Sequence, residues 1–134
     1  MDKVIQTLDQ LTTMCYMTGS IDLETRIQHV DGMITACVHV PADSIWFDGH
    51  FPEIAILPGV AQLAIVVRLL GEALGKKVRI RGANRVRFKQ AIMPAESIEV
   101  QIRPKENDTL SYGFRLLKGQ ELVCSGFITV AAEP

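Results

Sequence analysis

No two of the three cysteines are neighbours. Cys15, Cys37 and Cys124 stand far apart, with no CxxC pair. That excludes a thiol-redox motif or a zinc ribbon, and the odd count leaves no disulfide framework. A reducing, cytoplasmic setting is expected, with the thiols acting as small buried hydrophobes. Surplus charge is missing too: fourteen Lys and Arg face fifteen Asp and Glu. No whole-chain field therefore draws the protein to nucleic acid or to a membrane. The longest apolar run, Ile54 to Val67, is interrupted by Pro58 and Gln62 and is too short to span a bilayer. The opening MDKVIQTLDQL has an early acid and no basic stretch ahead of an apolar one, unlike a secretory signal. His29 and His39 lack acidic or cysteine neighbours at ligand spacing, so no metal or cofactor is expected. Repeats, low-complexity tracts and linkers are absent. Residues 1–134 are expected to form one domain, large enough to bury about two-thirds of its unfolded surface.

What is present is a helix signal inside a strand-rich chain. Val4, Leu8 and Leu11 predict a short amphipathic helix over residues 2–13. ETRIQHV and MITACVHVP flank Asp31-Gly32, the pattern of a tight hairpin. In the second of these strands Ile34, Ala36, Val38 and Val40 share one face. Residues 77–90 predict a long two-faced strand. Val78, Ile80, Gly82, Asn84, Val86 and Phe88 point one way; Arg79, Arg81, Ala83, Arg85, Arg87 and Lys89 point the other. A turn at 91–94 follows. SIEVQIR, TLSYGFRLL and ELVCSGFITVA, joined by short turns, then read as an antiparallel meander. Six strands around one helix do not fit repeating βαβ units. They predict an α+β domain, with an antiparallel sheet wrapped around one long central helix.

That helix lies in the stretch the chain is organised around, FDGHFPEIAILPGVAQLAIVVRLLGEALG, residues 47–75. Pro58 suits a first helical turn, and Gly75 suits a left-handed stop. Between Val60 and Leu74 only Gln62, Arg68 and Glu72 are strongly polar, so other structure should surround the helix. Its amino end, with unpaired N–H groups, follows closely on His50. Such a pairing suits chemistry on a carbonyl.

Phe47-x-Gly49-His50-Phe51-Pro52, followed by Ile56-x-Pro58-Gly59-Val60, resembles the active-site segment of the hot-dog-fold 3-hydroxyacyl-[acyl-carrier-protein] dehydratases. Val86-Arg87-Phe88-Lys89 with Pro94 is similar to that family's next strand and turn. ILPGVAQL also resembles the dehydratase-like proteins of aryl-polyene gene clusters. The resemblance implies a hot-dog fold, a homodimer or higher oligomer with its site across the dimer interface, and a role in fatty-acid or polyene-type biosynthesis. The substrate it implies is an acyl-carrier-protein or coenzyme A thioester. His50 is then the base that takes the proton α to the thioester carbonyl. Gly59 supplies the backbone N–H for the carbonyl oxygen. Phe51, Pro58, Val60, Ala64, Arg68 and Phe88 are the implied substrate-binding positions. A base paired with a preorganised oxyanion donor is what a weakly acidic α-proton requires.

The chain departs from the family at Ala64, where the dehydratases carry the acid that helps expel the 3-hydroxyl. At Arg68 it departs again, since a glutamine is usual there. Asp48 and Glu53 are the nearer acids in sequence. The expected activity is that of a dehydratase-like lyase. Two alternatives remain open: a catalytically impaired hot-dog partner subunit that binds acyl thioesters, and a thioesterase. Arg85, Arg87 and Lys89, within the basic row of residues 79–89, are carrier-binding candidates; the plainer reading is a solvated strand face. For Arg68 the plainer reading is a pair with Glu72 one turn on.

Overall fold

The computed structural model describes residues 22–42, 57, 59–106, 108 and 110–132. Seven strands, every pairing antiparallel, form one sheet. They are β1 (Asp22–Leu23), β2 (Gln28–Val30), β3 (Met33–His39), β4 (Val78–Phe88), β5 (Ile98–Pro104), β6 (Ser111–Lys118) and β7 (Glu121–Ala132), with helix α1 (Gly59–Leu74) between β3 and β4. The spatial order is β1-β3-β5-β6-β7-β4, with β2 also paired to β3. The sequence meander β5-β6-β7 is therefore the middle of the sheet, and β4 crosses over to close one end. The helix expected over residues 2–13 lies outside the described residues.

Local chemistry sets the turns. Asp31 and Gly32 both have positive φ (51° and 78°), the signature of a type I′ hairpin turn whose twist matches its strands. Of the strand expected over residues 24–30 only Gln28–Val30 forms, and a separate two-residue strand, Asp22–Leu23, precedes it. Thr25 Oγ1 accepts the Cys37 N–H at 2.8 Å, and the Cys37 carbonyl accepts from the N–H groups of both Glu24 and Thr25. A side chain thus takes the place of a ladder bond, and β1 and β2 pair with β3 on either side of the jog.

The core lies between α1 and one face of the sheet. β3 alternates half-buried and buried residues along its length. Ile34, Ala36 and Val38 join Val100, Ile102, Phe114, Leu116, Ile128 and Val130 in a single cluster with α1. Ala61 through Val67 are all buried, and seven consecutive helical residues point in every direction, so the helix is covered all round. Sixteen residues containing Val60, Ile65, Val66 and Val67 would be a marginal helix alone. Burial holds it, each fully buried Leu, Ile or Val contributing roughly 1.5–3 kcal/mol. At its end Gly75 has φ 71°. The Lys76 N–H donates to the Gly71 carbonyl and the Gly75 N–H to that of Glu72, the six-to-one closure of a glycine stop.

The unbroken alternation expected over residues 77–90 fails twice. Between the pairs Ile80–Val130 and Gly82–Thr129, β4 advances two residues while β7 advances one; between Asn84–Phe127 and Arg87–Ser125 it advances three against two. Each extra residue is a bulge that exchanges the faces beyond it. Gly82 and Asn84 thereby move to the face away from α1, and Phe88 returns to the α1 side opposite Cys124. Arg85 takes φ 55°, a left-handed conformation that costs a non-glycine residue about 1–2 kcal/mol. Where the bulged strand crosses β7, a Cβ on Gly126 would lie 2.9 Å from the Val86 Cα, so only glycine fits there.

Candidate active site at the amino end of the helix

The chain enters α1 beside β4. The Leu57 N–H donates to the Ile92 carbonyl at 2.8 Å, which fixes the approach to Gly59. No acid occupies the first turn of the helix, so no carboxylate there offsets the partial positive charge of its N–H groups. They border a hollow of about 470 Å³ lined by Leu57, Gly59, Gln62, Phe88 and residues 89–91.

The absence of a side chain at Gly59 leaves room for the ring of Phe88. A Cβ there would sit 2.7 Å from Cζ of Phe88 and 3.1 Å from both Cε atoms. The ring tip of Phe88, a residue 51% exposed, rests against the Gly59 backbone. The second bulge of β4 is what carries it there. Sequence-expected site residues Gly59, Phe88 and Lys89 are thus brought together.

Gln62 joins them, and sequence reasoning had noted it only as a polar interruption. It is 3% exposed. Its Nε2 donates a long hydrogen bond (3.4 Å) to the Leu57 carbonyl, while its buried Oε1 has no partner among the described residues. A buried acceptor left unpaired costs roughly 1–3 kcal/mol, so the position is not optimised for stability. The available signal was its place three residues after Gly59, on the same side of the helix.

Other expected positions lie elsewhere. Ala64 is completely buried, about 140° round the helix axis from Gly59. Arg68 stands about 13 Å along the axis from Gly59, where its Nε donates to Oε1 of Glu72 at 3.1 Å; the plainer reading of this residue is the observed one. Val60 is half-buried and packs against the core. Arg85 and Arg87 line a different hollow on the far face of the sheet, so the three carrier-binding candidates are divided between two places. His50, Phe51 and Pro58, and with them Asp48 and Glu53, lie outside the described residues.

Among the described residues no carboxylate lines the helix-end hollow, and no cluster of His, Cys, Asp and Glu is arranged to hold a metal. The carboxylates with shifted ionisation are structural. Glu24 is held below its usual range first by the Ser97 hydroxyl and then by His39. For Glu96 the first cause is the Met93 N–H, with Lys118 contributing. Cys124 is buried and its thiol is pushed up to about 12 by desolvation, so it is inert as a nucleophile. Cys37 is only half-buried, more exposed than expected. No helix among the described residues is long and apolar enough to cross a membrane.

Comparison with known proteins places this geometry. Residues 26–127 match the model of the ApeI-like family, described as ApeI dehydratase. The chain is 32% identical to the 3-hydroxyacyl-[acyl-carrier-protein] dehydratase FabZ of Oceanobacillus iheyensis, over 73% of this chain and 76% of that protein. It is 31% identical to FabZ of Bacillus velezensis, over 69% and 72%. Among solved structures it resembles the dehydratase heterocomplex ApeI:P from Xenorhabdus doucetiae (TM-score 0.72, 24% identity, 82% of this chain and 96% of that one). It also resembles a mutant thioesterase from Pseudomonas aeruginosa (TM-score 0.60, 18% identity, 97% and 94%). At these identities the two structures speak to fold alone. The α+β hot-dog arrangement expected from the sequence is the fold of the chain.

Proposed function

The chain belongs to the ApeI-like dehydratase family, and from that membership we propose that it removes water from a 3-hydroxyacyl thioester at the amino end of α1. The observation that carries the reading is the first turn at Gly59, which holds no acid and borders a hollow also lined by a buried, half-satisfied glutamine. In the proposed reaction His50 takes the C2 proton. The enolate oxygen that develops on the thioester is held by the Gly59 N–H, strengthened by the helix dipole. The C3–O bond then breaks, the C2=C3 double bond forms, and hydroxide leaves. Its proton comes from the imidazolium formed in the first step, so His50 returns neutral and the products are an enoyl thioester and water. That route fits a hollow whose described lining offers no carboxylic acid. An unperturbed histidine titrates near 6.5 and serves in both directions around neutral pH. Gln62 Oε1 is the acceptor assigned to the substrate's 3-hydroxyl, turning a lone pair of that oxygen toward the imidazolium.

The acyl group is carried on an acyl carrier protein or coenzyme A, and the working form is a homodimer or higher oligomer. Supporting an oligomer, β4 is an eleven-residue strand at one end of the sheet formed by the described residues, a position where another chain's strand can add. The test is incubation with 3-hydroxyacyl carrier-protein thioesters of short to long chain, with enoyl formation followed by mass. Conversion that needs His50 supports the proposal. A dimeric, folded protein that converts none of them contradicts it.

A second reading is favoured by one residue. Ala64 is a fully buried methyl where the resemblance calls for an acid, as in a subunit that binds acyl thioesters beside an active partner. The structurally similar ApeI:P is a dehydratase heterocomplex. Turnover that appears only after a second hot-dog subunit is added would select this reading.

A further inference from the structure

The face of the sheet turned away from α1 carries a second hollow, of about 520 Å³. Strand register explains how it is built. One cross-strand row runs Arg103–Gly113–Phe127–Asn84; the next runs Gln101–Arg115–Ser125–Arg87. The small residues Gly113 and Ser125 lie in the middle of these rows and make a low floor. Arginines stand around it: Arg103 from β5, Arg115 from β6, Arg87 from β4, and Arg85 from the second β4 bulge. Arg115 and Arg87 are two strand spacings apart across Ser125, about 10 Å. Phe127 leans over Gly113, where a Cβ would meet its ring at 3.3 Å, and Lys105 Nζ lies 5.2 Å from the centre of that ring.

Five cations thus converge on one patch of a chain whose net charge is only −1. Among the described residues none of the four guanidinium groups has a carboxylate partner. Glu99, two residues along β5 on the same face, is hydrogen-bonded by Gln101 Nε2 at 2.6 Å. Arg103 is held by neutral groups, the Asp31 carbonyl and the Met33 sulfur. Like charges gathered across a sheet repel one another. Arg85 reaches the patch through a backbone conformation that arginine rarely adopts, and bulges commonly re-aim side chains at functional sites.

We propose that this hollow is a binding site for a small phosphorylated molecule with at least two anionic phosphoryl groups. Guanidinium forks match phosphate oxygens two at a time. Four of them around Gly113 and Ser125, with the Phe127 ring alongside, suit a diphosphate better than a single carboxylate. The site is separate from the helix-end hollow and does not depend on the dehydratase reading.

Calorimetric titration with inorganic phosphate, inorganic pyrophosphate, ADP and adenosine 3′,5′-bisphosphate tests it. Pyrophosphate or a nucleotide is expected to bind at least tenfold tighter than phosphate. Equal affinity for pyrophosphate and ADP would assign recognition to the phosphoryl groups; a further gain with a nucleotide would add its base to the ligand. Arg103→Gln with Arg115→Gln should weaken binding at least tenfold. Arg103→Lys with Arg115→Lys keeps the charge, loses the forks and should fall between. Arg26→Gln with Arg81→Gln removes the same charge from outside the hollow and should leave affinity unchanged. Absence of saturable binding below about millimolar, or equal losses in the two Gln pairs, would overturn the site.

Discussion

The two hollows of this domain are built on opposite terms. At the amino end of α1 a single cation, Lys89, borders a glycine N–H, a glutamine amide and a phenylalanine ring. On the outer face four arginines stand around glycine and serine, with Met33, Leu122 and Phe127 as apolar lining. The inner hollow depends on the packed core, because the same helix that presents Gly59 buries Ala61 through Val67. The outer hollow depends on strand register alone. Chemistry that needs a preorganised dipole belongs beside the rigid element. Recognition of a mobile, charged ligand needs only that cations be brought to one face. A single strand serves both, since the bulges of β4 send Phe88 inward to Gly59 and Arg85 and Arg87 outward.

If the inner hollow is the reactive one, His50→Ala should lower dehydration by roughly 10²–10⁴-fold, the usual contribution of a general base. Affinity of the outer hollow for pyrophosphate should not change. Steady-state rates and calorimetry on the same preparation check both halves.

Ala64→Glu sharpens the contrast through stability. A carboxyl placed at a fully buried methyl must lose its hydration or push the core apart, and a loss of about 3 kcal/mol or more is expected. Burial raises the folded-state pKa of such a group above its unfolded value near 4.3. The penalty should therefore grow as pH rises through and above that value and be smallest below it. Denaturant melts at pH 4 and pH 8 measure this directly. Restored turnover in a stable variant would show that position 64 faces substrate after all.

Gln62→Leu should separate function from folding. Removing an amide whose oxygen has no partner is expected to raise stability by about 1 kcal/mol while turnover falls. A loss of stability with unchanged turnover would reduce Gln62 to a structural residue. Smallest is the expected effect of Arg115→Gln on stability, within about 0.5 kcal/mol because the side chain is exposed. Thermal melts check it.

Much of the frame was legible from residues alone. Asp31-Gly32, Gly75 and the alternation of β3 each follow from local rules, and each stands in the structure. The bulges were not legible, because an extra residue in β4 is defined only against β7. Arg103 and Arg115 were missed for the same reason: nothing local says which strands lie beside β4. Gln62 read as an interruption until its oxygen was seen to lack a partner. His50, the residue on which the resemblance turns, lies outside the described residues, so its role rests on GHFP and PGV in the sequence.

The central claim is that His50 and the Gly59 N–H together remove a proton beside a thioester carbonyl. Exchange at C2 tests it without requiring the hydroxyl to leave. Incubated in D₂O with a saturated acyl-carrier-protein thioester, the protein should introduce deuterium at C2. His50→Ala should abolish the incorporation and Arg103→Gln with Arg115→Gln should preserve it. Folded wild-type protein that introduces no deuterium, or a His50→Ala variant that introduces as much, would contradict the account.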